Sequence, residues 1–143
     1  MLRPSNKGEV VIQTYSKDHY AIKYALKQDY IGFYNEEMKV RKVARFIPFY
    51  NMNVIRVKNV DLRKAYTDAL MIKNKLEDAL DGEDVIIMGP IAPTISKVDT
   101  LYIFNVIIKY KIVKKLNNVL KNIFEESTEK DIMISLDKFP TTF

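Results

Sequence analysis

Cysteine is absent and histidine occurs once, as His19, so any chemistry here falls to lysines, arginines, carboxylates and aromatics. Without cysteine there is no thiolate nucleophile, disulfide or cysteine-bound zinc, which fits a reducing cytoplasm. His19 has no His-x-x-x-His partner, so a zinc site would rest on carboxylates alone, and the residue reads as an ordinary helix-start residue. The carboxylate pairs Glu36-Glu37 and Glu125-Glu126 are sequence neighbours. On a helix such neighbours diverge by about 100°, so neither pair shares a proton. No G-x-x-x-x-G-K-[ST] occurs, and Gly8, Gly32, Gly82 and Gly89 are too scattered to build a phosphate loop. Nothing places a serine on a strained nucleophile elbow. Catalysis is not expected of this chain.

Phosphate binding is better supplied. Formal net charge is +5, and the charges are segregated. Residues 39–64 hold eight Lys/Arg against Asp61 alone, and residues 97–121 hold six Lys against Asp99 alone. The acids gather over residues 77–84 and 125–131. Such blocks predict a positive face able to meet a polyanion. A solvated face in a lysine-rich composition is the bland alternative. The candidate phosphate contacts are Arg56, Lys97, Lys109, Lys111, Lys114 and Lys115, with Lys58, Arg63 and Lys64 around the first strand–helix junction. Tyr102 is a candidate for base stacking, since its hydroxyl favours a wet edge; Phe104 reads as core.

The elements that must position these residues follow from periodicity. Residues 9–15 (EVVIQTY) read as a short strand, residues 19–27 as a helix capped by Asp18, and residues 30–43 as a helix with Phe33 and Tyr34 inward. Residues 52–57 alternate as a strand. Asp61 caps a helix whose Leu62, Tyr66, Ala69, Leu70, Lys73, Leu76 and Leu80 fall at helical spacing before Asp81-Gly82. Residues 84–88 form a strand closed by Gly89-Pro90, residues 101–110 another, residues 111–124 a helix with Ile112, Leu116, Val119, Leu120 and Ile123 on one side, and residues 131–136 the last strand. The fold class expected is α+β: a ferredoxin-like β-α-β-β-α-β sandwich with a four-stranded antiparallel sheet and two helices on one face, preceded by a short strand and two linking helices. The other sheet face is open unless something covers it.

Several short motifs occur in order along the chain. They are Gly8-Glu9-Val10-Val11-Ile12-Gln13-Thr14; His19 with Ala21-Ile22; Asp29-Tyr30 with Phe33-Tyr34 and Glu36-Glu37; Arg41-Lys42 before Phe46-Ile47-Pro48-Phe49; and Gly89-Pro90, Ala92-Pro93 and Lys97. Together they resemble the C-terminal region of the primosomal protein N′ (PriA) family, the bacterial replication-restart DNA helicases. The sequence departs from the family at Phe46-Ile47, where a Tyr-Pro is usual, at Ile103, where the family strand carries arginine, and at residues 136–140, which hold one residue extra.

The resemblance implies a parent that is an ATP-dependent 3′→5′ DNA helicase binding ATP and zinc. The motor motifs and zinc cysteines are not in this chain, so no cofactor is expected in it. Residues 1–49 would be the end of helicase lobe 2 with linking helices, and residues 50–143 the C-terminal DNA- and partner-binding domain. Phe46, Pro48, Phe49, Gly89, Pro90 and Pro93 would form the family's structural motif. The implied function is binding branched or single-stranded DNA without sequence specificity and helping primosome assembly. Implied partners are DNA (forks and single strands), single-stranded-DNA-binding protein, other primosome proteins and the remainder of the helicase. One rival is a protein-interaction brace with little DNA affinity, marked by an apolar rather than lysine-lined open sheet face. Another is a small-molecule regulatory domain with a pocket at a dimer interface. No apolar run approaches the ~18–20 residues of a membrane span, and residues 1–10 lack a signal-type apolar stretch, so no membrane partner is expected.

Overall fold

The computed structural model describes Gly8, residues 10–93 and residues 97–140, with the Lys97 side chain outside that description. The chain forms two compact units, Met1–Val40 and Arg41–Phe143. Residues 41–49, assigned by motif to the linking segment, pack within the second unit.

In the first unit the strand expected at residues 9–15 is not formed over residues 10–14, and Glu9 lies outside the described residues. A lone strand leaves its N–H and C=O groups without a ladder, and Val10 and Val11 are accordingly 84% and 82% exposed. Helix α1 (Tyr20–Leu26) starts one residue later than expected, because His19 rather than Asp18 caps it: its Nδ1 accepts from the Ala21 N–H at 3.2 Å. Helix α2 (Tyr30–Val43) matches its expected span. Asp29 accepts from the Gly32 N–H at 2.8 Å at its start. Phe33 is half-buried and stacks on Tyr20 at 6.2 Å, but Tyr34 faces outward.

The second unit is the α+β sandwich. Its elements are β1 (Asn51–Asn59), α3 (Leu62–Ala79), β2 (Val85–Ile91), β3 (Lys97–Val98), β4 (Leu101–Tyr110), α4 (Leu116–Glu129) and β5 (Met133–Lys138). The strands lie in the order β2-β4-β1-β5, all pairs antiparallel, with β3 joined to β4. That is the order a ferredoxin-like β-α-β-β-α-β chain requires, each helix crossing between strands separated by one neighbour. The short β3 was not foreseen; it turns into β4 through Asp99-Thr100, with Asp99 in the left-handed region at φ 55.

Side-chain alternation divides the sheet into two faces. Ile55 and Val57 of β1, Val106 and Ile108 of β4, Ile134 and Leu136 of β5, and Val85 and Ile87 of β2 meet α3 and α4 in the main core. Asp61 caps α3 as expected, accepting from the Lys64 N–H at 2.8 Å. The buried stripe of α3, however, is Ala65, Ala69, Ile72 and Leu76, leading to Leu80; Leu62 and Tyr66 are 49% and 45% exposed. Two alanines let the helix axis approach the sheet closely, which rolls the larger side chains to the flank. Helix α4 begins five residues later than expected. Val113 is buried and anchors the preceding loop, leaving Ile112 at 85% exposure, while Leu116, Leu120, Ile123 and Ser127 form the buried stripe.

Strand β2 runs through Gly89-Pro90 rather than ending there, with a register shift between Met88 and Ile91. Pro90 costs no ladder bond at an edge-strand bulge. Gly89 has φ 128, and a Cβ on it would come within 2.6 Å of the Asn105 carbonyl oxygen, so this position admits glycine alone.

Candidate nucleic-acid interface

The predicted cation cluster is divided by the strands that carry it. Lys97 pairs with Tyr102 at the start of β4, whereas Lys109 lies near its other end. Seven residues of strand separate the two positions by roughly 23 Å. Lys97 and the group 109–115 therefore occupy opposite ends of the sheet and make no single patch. Of Lys97, only the backbone lies within the described residues.

Lys109 is not a surface cation. It points to the second sheet face, is 7% exposed, donates to the Ala44 carbonyl at 3.3 Å, and sits 3.8 Å from the centroid of the Phe46 ring. Burial lowers its pKa from the usual lysine value. Phe46 in turn packs on Met52, Val54 and Ile107, and Arg41 donates to the Ile47 carbonyl at 3.2 Å. The segment 44–49 is thus laid across one end of the second face. This explains the aromatics at Phe46 and Phe49 structurally: Phe49 is half-buried, while Pro48 is exposed.

Arg56 is likewise committed. Its guanidinium meets Asp137 at 2.9 Å across the β1–β5 pair, on the second face. Tyr102 shares its parity with Phe104 and Val106, so it belongs to the helix-covered face and not to the second face, where stacking on an open sheet would need it. Three expected contacts remain at the far end of β4. Lys111 is exposed with its ammonium 5.1 Å from the Tyr50 centroid. Lys114 is exposed on the loop into α4. Lys115, at the α4 N-cap position, lies 3.4 Å from Glu83. Arg45 stands 3.7 Å from Asp84 at the same end.

The second face also carries Lys58 and Ser135 among apolar side chains. Ile103 and Ile107 are buried on it, and Met88, Ile91 and Met133 are 37%, 38% and 47% exposed. Among them Asn105, 1% exposed, has neither side-chain oxygen nor nitrogen hydrogen-bonded. The sequence marks Asn105, with Tyr102 and Phe104, as a β4 residue able to present a side to DNA, but its burial withdraws it from such contact. On the flank of α3, Arg63 and Lys64 are exposed as expected of phosphate contacts, and what sequence reasoning missed is Tyr66, read as core but exposed beside them. The rival stripe Ala65, Ala69, Ile72, Leu76 was legible at the same spacing. Among the described residues no group of His, Asp or Glu is arranged to hold a metal ion, and no helix is long and apolar enough to cross a membrane.

No family model matches the chain. Curated relatives do. It is 35% identical over 142 residues to replication restart protein PriA of Bacillus subtilis, which covers 96% of this chain and 18% of that protein. It is 28% identical over 134 residues to the protein of the same name from Borreliella burgdorferi, covering 92% of this chain and 20% of that one. The Thermotoga maritima PriA matches at 28% over 120 residues, 81% of this chain and 16% of that protein. The chain thus spans about a fifth or less of the length of these relatives. Along nearly all of its own length, then, it is related to a segment of the PriA family of replication restart proteins, the family its motifs resemble.

Proposed function

We propose that this chain serves replication restart as the DNA-contacting C-terminal module of a PriA-type helicase. It binds branched or single-stranded DNA through backbone phosphates, reads no sequence, and helps primosome assembly. The observation that carries this reading is the exposed pair Lys111 and Lys114, on one loop at the far end of β4, with Lys111 beside Tyr50. Two cations on a loop, free to move onto a phosphate track, give affinity without base readout. ATP hydrolysis and zinc binding belong, on this reading, to the parent protein, and single-stranded-DNA-binding protein is a partner of the whole assembly.

The test is fluorescence anisotropy of the chain with a labelled fork at two salt concentrations. Two phosphate contacts predict about tenfold weaker binding at ~200 than at ~50 mM salt. Changing Lys111 and Lys114 together to Glu is expected to abolish that difference and most of the affinity. Unchanged affinity and salt slope would remove this end from the interface.

One observation favours a second reading. The sheet's second face has an apolar area, with Met88, Ile91 and Met133 partly exposed, and Lys58 is its one lysine that is half-exposed among the described residues, as suits a protein-interaction brace for helicase lobes or single-stranded-DNA-binding protein. On that reading the chain binds no fork even at low salt.

A further inference from the structure

At the opposite end of the sheet, the junction of β1 and α3 carries a different combination of groups. Arg63 and Lys64 stand exposed in the first turn of α3. Lys58, half-exposed at the end of β1, belongs to the second sheet face and not to this flank. Two acids lie near Arg63 and Lys64: Asp61, bonded to the Lys64 N–H as the helix cap, and Asp68, one turn on from Lys64. Neither cation is ion-paired among the described residues. This contrasts with the far end, where Lys115 faces Glu83 and Arg45 faces Asp84.

An aromatic surface adjoins these cations. Tyr66 is 45% exposed, and its ring meets Phe104 edge-to-face with centroids 5.5 Å apart and planes at 79°. Phe104 is held against the main core. The Tyr66 ring is therefore braced on one side and wet on the other, so little freedom is left to lose when something stacks on it. Arg63, three residues earlier, lies on the same flank of the helix. Val60 and Leu62 beside them are 65% and 49% exposed, unusual for a junction with no covering element among the described residues.

Unpaired cations next to a braced, exposed aromatic ring form the pairing that holds a single-stranded nucleic acid, with phosphates on the cations and a base on the ring. A duplex hides its base faces and would engage only the cations. We propose that this flank is a second nucleic-acid site, distinct from the Lys111–Lys114 end, which takes single-stranded DNA by stacking a base on Tyr66 with Arg63 and Lys64 on the flanking phosphates. The inference rests on the DNA-binding reading but uses other residues and base stacking besides phosphate contacts, so the two can fail separately.

The experiment is an anisotropy titration of the full chain with labelled oligothymidylate, and with a blunt duplex of the same length. Tyr66→Leu keeps an apolar contact to Phe104 but removes the stacking face; Tyr66→Phe keeps both. Stacking predicts about tenfold or greater loss of oligothymidylate affinity for Tyr66→Leu, little change for Tyr66→Phe, and no effect of either on duplex. Arg63→Gln, at an exposed position with no packing role, is expected to reduce the salt dependence of oligothymidylate binding. That keeps the test decisive if Tyr66→Leu unfolds. The proposal is overturned if wild type does not bind oligothymidylate, if Arg63→Gln leaves its salt dependence intact, or if Tyr66→Leu folds and binds as wild type. Duplex binding that falls in parallel with Tyr66→Leu would equally overturn it. If instead the Lys111/Lys114 double variant retains fork affinity while Tyr66→Leu loses oligothymidylate, the far-end site fails and this one stands.

Discussion

Lys109 and Asn105 sit four residues apart on the same face of β4, with Ile107 between them, and both are polar groups beside apolar side chains. Lys109 is accommodated by the Ala44 carbonyl and the Phe46 ring. Because burial lowers its pKa below 10.5, the native state holds fewer protons than the unfolded chain between that lowered value and 10.5. Stability therefore rises with pH across that window, while below it the cost of the buried charge is fully present. Lys109→Met is expected to remove this slope: urea titrations from neutral to alkaline pH should show the wild type gaining on the variant as pH rises. A constant difference would mean the amine is solvated. Asn105 has no such accommodation. An unmade buried hydrogen bond costs about 1–3 kcal/mol, and an apolar group of like shape removes that cost. Asn105→Leu should thus raise the thermal midpoint, and a fall would reveal a partner for the amide.

At the scale of elements, what could be read from sequence depended on where the signal was local. The β1 alternation, the Asp61 cap and the Gly82 stop of α3 are local features, and those elements stand where expected. The start of α4 was hidden because Lys111-Ile112-Val113 continues a helical pattern, and only the burial of Val113 under the core breaks it. The α3 stripe is right at Ala69, Leu76 and Leu80 but takes Leu62 and Tyr66 in place of Ala65, and Leu70 and Lys73 in place of Ile72, which puts Tyr66 inside. The candidate site suffered from the same cause in another form. Lys97 and Lys109 belong to one basic stretch of sequence, but an extended strand moves them apart, whereas a helix would have kept them within a few turns. The burial of Lys109 depends on Phe46, more than sixty residues away, and no local pattern encodes it.

For the whole molecule, the boundary that matters lies before the Phe46 segment. Residues 41–143 hold both sheet faces, including the cover that Phe46 lays on Met52, Val54 and Ile107. A polypeptide of residues 41–143 is expected to unfold in one cooperative transition. One of residues 50–143 should melt lower, by roughly 4–8 °C for each kcal/mol of lost cover, and losing the burial of one Phe side chain alone is worth about 1.5–3 kcal/mol. Equal midpoints in calorimetry would make the segment a passive tether. The acids at the far end of the sheet have an effect of a different kind. Glu83 and Asp84 already neutralise Lys115 and Arg45, so they act as counterions built into the chain. DNA arriving there displaces a carboxylate that stays tethered, not a dissolved ion that gains entropy on leaving. Salt therefore registers only Lys111 and Lys114, with a slope of about −2 on a log–log plot rather than nearly double that, and the protein's own acids, more than the ions of the medium, are what the nucleic acid must outbid.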